Sequence, residues 1–176
     1  MAGCRTKDLI DTKMSDLALR ELKPENRELL FSWRNDPWIV ALSTSQKTIS
    51  VGEHRTWFKN VLINKNILIR LIVGSVGLPM GLVSLMKEGA CATISIYLMQ
   101  PFVGYGRGSR VIAISSSMAF DRWPDLMQID ACIRVSNYKS VSAFSKMGYV
   151  KSSVKGDPNK PSSMVVMSLR NHRLVI

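Results

Sequence analysis

Three closely spaced glycines, Gly104, Gly106 and Gly108, lie between an apolar segment and a helical pattern. The apolar segment covers residues 93–99, and the helical pattern begins near residue 109. Glycines let main-chain amides crowd together without side-chain obstruction, and a helix N-terminus adds N–H donors and a positive dipole end. A turn of this kind binds phosphate or pyrophosphate, so the sequence predicts a site for a phosphorylated cofactor.

The elements around this turn predict a mixed sheet with helices. Apolar and alternating segments predict strands at residues 17–22, 67–73, 80–87, 91–99, 128–134, 149–154 and 163–170. Helices are predicted at residues 25–33, 50–63, 109–121 and 137–147. A capping box of Ser50 and Glu53 opens the second helix, and the turn at residues 35–37 ends the first. The order indicates an α/β (α+β) fold, antiparallel early in the chain, with one parallel crossover around the glycine turn.

Length and patterning predict a single domain. The 176 residues suffice for a full-sized core. Residues 1–15 are expected to form a loosely ordered tail and residues 16–176 the domain. No apolar run reaches the ~18–20 residues of a membrane span. The N-terminus alternates charges and has no apolar core of a signal peptide, which predicts a cytoplasmic protein.

The net charge of +11 lies outside the first 28 residues, where six basic and six acidic side chains balance. From Arg134 onward, eight Lys and Arg residues accompany one acid, Asp157. This excess favours anionic partners such as phosphorylated cofactors, nucleotide sugars or nucleic acid, with a solvated basic face as the alternative. Three scattered cysteines and two histidines have no metal-ligand spacing, so no metal site is predicted.

Two motifs resemble the GNAT superfamily of acetyl-CoA-dependent N-acetyltransferases. Residues 101–109, Pro-Phe-Val-Gly-Tyr-Gly-Arg-Gly-Ser, are similar to the family's Arg/Gln-x-x-Gly-x-Gly/Ala loop. About 30 residues later, Asn137-x-x-Ser140 and the residues up to Tyr149 are similar to its Asn-x-x-Ala/Ser-x-x-x-Tyr-x-x-x-Gly-Phe helix. The resemblance covers roughly residues 17–170. It implies a GNAT-like mixed, mostly antiparallel sheet with a splayed central strand pair flanked by helices, and acetyl-CoA as the cofactor.

A third segment resembles particular branches of that family. Residues 33–37, Trp-Arg-Asn-Asp-Pro, with His54, Trp57 and Phe58, are similar to members that acetylate nucleotide-activated amino sugars, of the pseudaminic acid pathway type. The Trp-Arg-Asn-x-Pro element also occurs in ribosomal-protein N-terminal acetyltransferases. The resemblance therefore implies direct acetyl transfer to a primary amine. A nucleotide-linked amino sugar is favoured over a protein α-amine or a small polyamine-like amine, and a homodimer is compatible with an edge strand.

The resemblance also implies cofactor contacts along the loop and the later helix. Leu98 and Gln100 would offer main-chain groups to the pantetheine arm, and Asn137 would both cap its helix and bind the pantetheine amide. Arg107, Arg110 or Lys146 would meet the remaining phosphate charge, with surface solvation as the alternative. The cofactor candidates are Leu98, Gln100, Val103, Gly104, Tyr105, Gly106, Arg107, Gly108, Ser109, Asn137, Ser140, Phe144 and Lys146.

Catalysis needs a proton for the departing thiolate and a neutral amine. Ser140 is the first candidate to hydrogen-bond the thiol, the alternative being a hydroxyl bonded to its own helix. Tyr138 is the second candidate, the alternative being a surface or core aromatic. His54 has a suitable intrinsic pKa for a base, with a structural histidine or a water chain as alternatives. Phe144 stands where many members carry a proton-donating tyrosine.

The acceptor site is expected to be shaped by Trp33, Arg34, Trp57 and Tyr97, with core packing as the alternative for the tryptophans. Val103 departs from the family's usual Arg or Gln. Three rival functions stay open: a dinucleotide-binding oxidoreductase, a nucleic-acid-binding module, and an acetyl-CoA sensor without turnover. The glycine spacing and the strand ending in Arg134 disfavour the first, and the lack of a recognition motif disfavours the second.

Overall fold

The computed structural model describes residues 17–43, 45–74, 76–157, 160 and 163–172. The tail predicted at residues 1–15 lies outside these ranges. The strands are β1 (Leu17–Glu21), β2 (Ile67–Gly74), β3 (Pro79–Glu88), β4 (Cys91–Leu98), β5 (Gln128–Arg134), β6 (Val150–Lys155) and β7 (Met164–Arg170). The helices are α1 (Arg27–Arg34), α2 (Pro37–Leu42), α3 (Val51–Ile63), α4 (Arg107–Arg122) and α5 (Tyr138–Lys146). None of the described helices is both long and apolar enough to cross a membrane.

The strands form one seven-stranded sheet in the order β1-β2-β3-β4-β5-β7-β6. Strands β1 and β2 are antiparallel, as are β5 with β7 and β6 with β7. Strands β4 and β5 are parallel, and α4 connects them, which confirms the predicted crossover around the glycine turn. Their pairing runs from Cys91 opposite Gln128 to Ile94 opposite Ala131, and both strands continue past it.

The chain divides into two compact units. The first comprises the described residues of Met1–Asn64, Ile69–Leu82 and Tyr97–Arg107, and its core includes Leu30, Ile39, Phe58, Ile72 and Met80. The second comprises the described residues of Lys65–Leu68, Val83–Ile96 and Gly108–Ile176, and its core includes Leu85, Ile112, Leu126, Ile129 and Met167.

The main departure from the predicted elements is the additional helix α2. Helix α1 ends at Arg34, as the turn at residues 35–37 predicts. The same residues also begin a new helix, because Asp36 Oδ1 accepts from the Trp38 amide at 2.8 Å and Pro37 occupies the first helical position. The first predicted helix is likewise divided into a 3₁₀ turn at Pro24–Asn26 and α1.

Candidate active site

The loop between β4 and α4 contains the three glycines. Gly104 and Gly106 have φ values of +99° and +72°, which residues with a side chain adopt only at a cost. A Cβ built on Gly104, Gly106 or Gly108 would meet no heavy atom within 4 Å. The main chain of this loop therefore faces open space, and glycine keeps that space free for a ligand.

Helix α4 follows this loop directly. Gly108 and Ser109 lie in its first turn, where helix geometry leaves main-chain N–H groups without intrahelical acceptors. The first turn has no acidic side chain, so no carboxylate there opposes an anion. The loop and the helix start thus have the amides, the dipole and the space that a pyrophosphate group requires.

The side chain of Arg107 braces this loop from within. It is only 5% exposed, and Nη1 donates to the Phe102 carbonyl at 3.3 Å. Its guanidinium carbon lies 4.6 Å from the centroid of the Tyr105 ring, a cation–π distance. Tyr105 itself is exposed. In this conformation the Arg107 guanidinium contacts the loop itself and so stabilises the loop conformation.

The carboxyl end of β4 is held closely by its surroundings in the first unit. The Trp38 indole Nε1 donates to the Leu98 carbonyl at 3.2 Å, and the Met99 amide donates to the Met80 carbonyl at 2.9 Å. A Cβ on Gly81 would lie 2.2 Å from the Tyr97 carbonyl oxygen. Neither Gly81 nor Trp38 is among the predicted site residues; a glycine inside a predicted strand was the available signal for Gly81, and Trp38 gave none.

Helix α5 begins with the predicted cap. Asn137 Oδ1 accepts from the Ser140 amide at 3.1 Å, which uses the side-chain oxygen and keeps the amide nitrogen as a further donor. The Ser140 hydroxyl makes no hydrogen bond within the described part of the chain, so it is not occupied by its own helix. Tyr138 is 76% exposed. The first turn of α5 therefore brings together three of the predicted site residues.

Position 144 belongs to the core of the second unit. Phe144 is 2% exposed and packs edge-on against Tyr149, with ring centroids 4.9 Å apart. The Tyr149 hydroxyl shares a hydrogen bond of 2.8 Å with Ser116, and burial raises the pKa of this tyrosine above its ordinary value. Lys146 is exposed in the last turn of α5.

His54 lies inside an aromatic cluster. It is 1% exposed, and its ring centroid lies 5.2 Å from Trp57, 5.3 Å from Phe31 and 6.0 Å from Phe58. Its Nε2 atom has no hydrogen-bond partner in the described residues. Burial lowers the pKa of His54, so the ring is neutral near pH 7. This setting supports the structural alternative for His54 over a base.

Two predicted acceptor residues are in contact. Trp33 is buried and packs edge-on against Tyr97 with centroids 6.3 Å apart. Burial raises the pKa of Tyr97, and the charge of Arg34 partly opposes this rise. The Tyr97 hydroxyl therefore stays protonated near pH 7 and can act as a hydrogen-bond donor. Trp57, with its ring against His54, is 37% exposed.

The Trp-Arg-Asn-Asp-Pro element makes hydrogen bonds mainly with the segment of the chain that precedes α3. Arg34 donates from Nη1 to the Lys47 carbonyl at 3.0 Å and from Nη2 to the Ser45 hydroxyl at 3.3 Å. Asn35 makes two hydrogen bonds with the Ile49 main chain. The element thus holds the segment before α3 against the end of α1.

A comparison with known protein families identifies a match over most of the chain. The family model described as acetyltransferase (GNAT) domain matches residues 16–150, most of the chain. No curated protein sequence matches the chain.

Solved structures share the fold at low identity. The spermidine N-acetyltransferase of Vibrio cholerae, in complex with CoA and spermine, superposes with a TM-score of 0.77 at 18% identity, over 89% of this chain and 96% of that chain. AAC(6')-Ib in complex with ribostamycin and coenzyme A gives 0.74 at 16% identity, over 89% and 94%. A domain from Methanocaldococcus jannaschii gives 0.74 at 19% identity, over 89% and 99%. With the family match over residues 16–150, the glycine loop before α4 and the mixed sheet, the chain belongs to the GNAT family of acetyltransferases.

Proposed function

We propose that this protein transfers an acetyl group from acetyl-CoA directly to a primary amine, with a nucleotide-linked amino sugar as the favoured acceptor. The observation that carries the proposal is the glycine loop that leads into α4. Gly104 and Gly106 have positive φ, and the space in front of Gly108 is open. Main-chain amides from Gly104 to Ser109 would hold the pyrophosphate.

The remaining cofactor contacts are those that the resemblance to the GNAT family implies for the carboxyl end of β4 and the start of α5. The main chain at Leu98 and Gln100, and the side-chain nitrogen of Asn137, would hold the pantetheine arm. Bound acetyl-CoA supplies an activated acetyl thioester. The Ser140 hydroxyl, which makes no hydrogen bond in the described chain, would donate to the sulfur atom and so stabilise the departing thiolate.

We assign the role of the general base, which removes a proton from the acceptor amine, to water. His54 is nearly inaccessible among aromatic rings, and its pKa is lowered by burial. A general base must reach the proton it removes, directly or through one water. We therefore infer that a water chain accepts the proton of the acceptor amine and that no single described side chain is essential for this step.

The net charge of the chain favours an acceptor that carries phosphate over a polycation. An amine linked to a nucleotide suits a chain of net charge +11.

A polycationic amine is the second candidate. Among the structural neighbours, one is a spermidine N-acetyltransferase in complex with spermine and another is AAC(6')-Ib in complex with ribostamycin. A peptide α-amine also belongs in the test, because the Trp-Arg-Asn-Asp-Pro element resembles ribosomal-protein acetyltransferases.

Acetyl-CoA binding is the first experiment, by isothermal titration. Gly108 and Gly52 are each the second residue of a helix, and neither has a positive φ. Gly108→Ala should weaken acetyl-CoA binding several-fold because its methyl group enters the ligand space, whereas the matched Gly52→Ala should bind like the wild type. Equal binding by the two variants would contradict the loop assignment.

Thiol release from acetyl-CoA then identifies the acceptor. The panel contains nucleotide-linked amino sugars, spermidine, an aminoglycoside and N-terminal peptides, each at matched concentration. We expect the highest kcat/KM with a nucleotide-linked amino sugar. Preference for spermidine or the aminoglycoside would establish the second candidate, and acetyl-CoA binding without release for any amine would establish a sensor.

A further inference from the structure

We propose that Trp38 is a positioning residue for the acetyl donor, acting by fixing the Leu98 peptide group at the end of β4. This inference rests on the proposed function, because it assigns the end of β4 to the pantetheine arm. The contact that carries it is the hydrogen bond of 3.2 Å from Trp38 Nε1 to the Leu98 carbonyl oxygen.

The position of Trp38 follows from the cap of α2. Asp36 is the N-cap residue, with an extended backbone and a side chain that accepts from the Trp38 amide at 2.8 Å. Pro37 occupies the first helical position, where its fixed φ fits the helix and its missing N–H costs nothing. These two residues place Trp38 in the first turn of α2, from which its indole reaches a strand 60 residues away.

The Leu98 peptide group is restrained on its other sides as well. The next residue, Met99, donates its amide to the Met80 carbonyl at 2.9 Å. The preceding carbonyl, of Tyr97, lies so near Gly81 that a Cβ there would be 2.2 Å from the oxygen. The indole of Trp38 sets the direction of the Leu98 carbonyl between these two contacts.

A carbonyl oxygen has two lone pairs, so the Trp38 bond orients the Leu98 peptide plane and still leaves one acceptor site. Main-chain groups in a preorganised orientation bind a ligand without a reorganisation cost at the moment of binding. The free energy of one neutral hydrogen bond sets the upper limit of this saved cost, about a tenfold change in the equilibrium constant for binding. The expected effect of Trp38 is therefore on acetyl-CoA affinity.

The test compares Trp38→Phe with Trp123→Phe in the whole 176-residue chain. Both variants lose an indole N–H, but Trp123 is a buried residue of the second unit whose ring lies 5.8 Å from the Arg122 guanidinium carbon. Trp38→Phe should raise the Kd and the KM for acetyl-CoA about three- to tenfold, with little change in the KM of the amine acceptor. Trp123→Phe should leave both acetyl-CoA constants at wild-type values.

An unchanged Kd in a folded Trp38→Phe variant would overturn the proposal, as would an equal change in Trp123→Phe. Failure of the wild type to bind acetyl-CoA would instead contradict the proposed function. The wild type also gives a measurement that needs no stable variant, because its four tryptophans give four indole N–H signals by NMR. Acetyl-CoA should shift the Trp38 signal more than the Trp123 signal, and an unmoved Trp38 signal would count against the role.

Discussion

The side chain of Asn35 exchanges two hydrogen bonds with the main chain of Ile49. The Ile49 amide donates to Asn35 Oδ1 at 2.8 Å, and Asn35 Nδ2 donates to the Ile49 carbonyl at 3.1 Å. Arg34 adds its bond to the Lys47 carbonyl at 3.0 Å. These contacts hold the main chain of residues 47–49, just before the Ser50 cap, against the end of α1. We call this set of hydrogen bonds from Arg34 and Asn35 the clamp.

Asn35→Ala should destabilise the protein by about 2 kcal/mol, because it leaves a part-buried N–H and C=O without partners. Urea unfolding at neutral pH measures this change. Asn60→Ala, at an exposed position of α3, is the matched control and should change the free energy of unfolding by less than about 0.5 kcal/mol. Equal effects of the two substitutions would show that the clamp contributes nothing to stability.

Gly81→Ala tests the close approach of β3 to the end of β4. The new Cβ would meet the Tyr97 carbonyl oxygen at 2.2 Å and the Leu98 Cα at 3.0 Å, and main-chain atoms cannot move aside cheaply. We expect a loss of about 2–3 kcal/mol in the free energy of unfolding and weaker acetyl-CoA binding. Gly52→Ala, whose Cβ would meet only the Ser50 hydroxyl at 3.9 Å, should be neutral or slightly stabilising, because alanine favours a helix over glycine. A Gly81→Ala variant as stable as Gly52→Ala would contradict the structure at this point.

The buried His54 should make the free energy of unfolding depend on pH. Burial holds its folded-state pKa below the ordinary value of 6.5, so the unfolded chain takes up a proton first as the pH falls. The contribution of neutral His54 is therefore fully present above pH 6.5 and is lost as the pH falls through the lowered folded-state value. His54→Phe removes this loss, and its free energy of unfolding should fall less steeply with pH than that of the wild type.

The relevant measurement is the free energy of unfolding against pH for the wild type and for His54→Phe. Parallel curves would contradict the assignment of the pH dependence to His54. The kcat of His54→Phe also tests whether His54 is the general base. If His54 were the base, kcat should fall strongly; if it only packs in the aromatic cluster, kcat should hardly change.

Ser140→Ala should lower kcat and leave the Kd for acetyl-CoA near its wild-type value. In the proposed mechanism its hydroxyl stabilises the thiolate, which forms only as the thioester breaks, so its loss should affect the transition state more than binding. We expect about a ten- to hundredfold fall in kcat, measured by thiol release with saturating substrates. Tyr138→Phe, which removes an exposed hydroxyl from the same turn, is the comparison. A larger effect of Tyr138→Phe would transfer the role to Tyr138.

Features encoded by neighbouring residues were predictable from the sequence. The capping box of Ser50 and Glu53 forms, with bonds of 3.2 Å and 2.7 Å, because its partners are three residues apart. Strand β5 has the predicted bounds, because alternation and flanking turn residues are local signals. The cap from Asn137 to Ser140 also forms between residues three positions apart.

The contacts that define the candidate site depend on residues far apart in the chain. Trp38 and Leu98 are 60 residues apart, and nothing in the sequence near either indicates their hydrogen bond. The burial of His54 beside Phe31 likewise depends on how α1 and α3 pack.

The sequence by itself determined the glycine loop, the order of most elements and the family, because turns, caps and periodic patterns arise from residues a few positions apart. Only the tertiary structure decided that Trp38 donates to the Leu98 carbonyl, that Gly81 lies against the Tyr97 carbonyl, and that Arg34 and Asn35 hold the chain before α3. Side-chain direction and close approach depend on packing between distant segments, and local patterns carry no record of that packing.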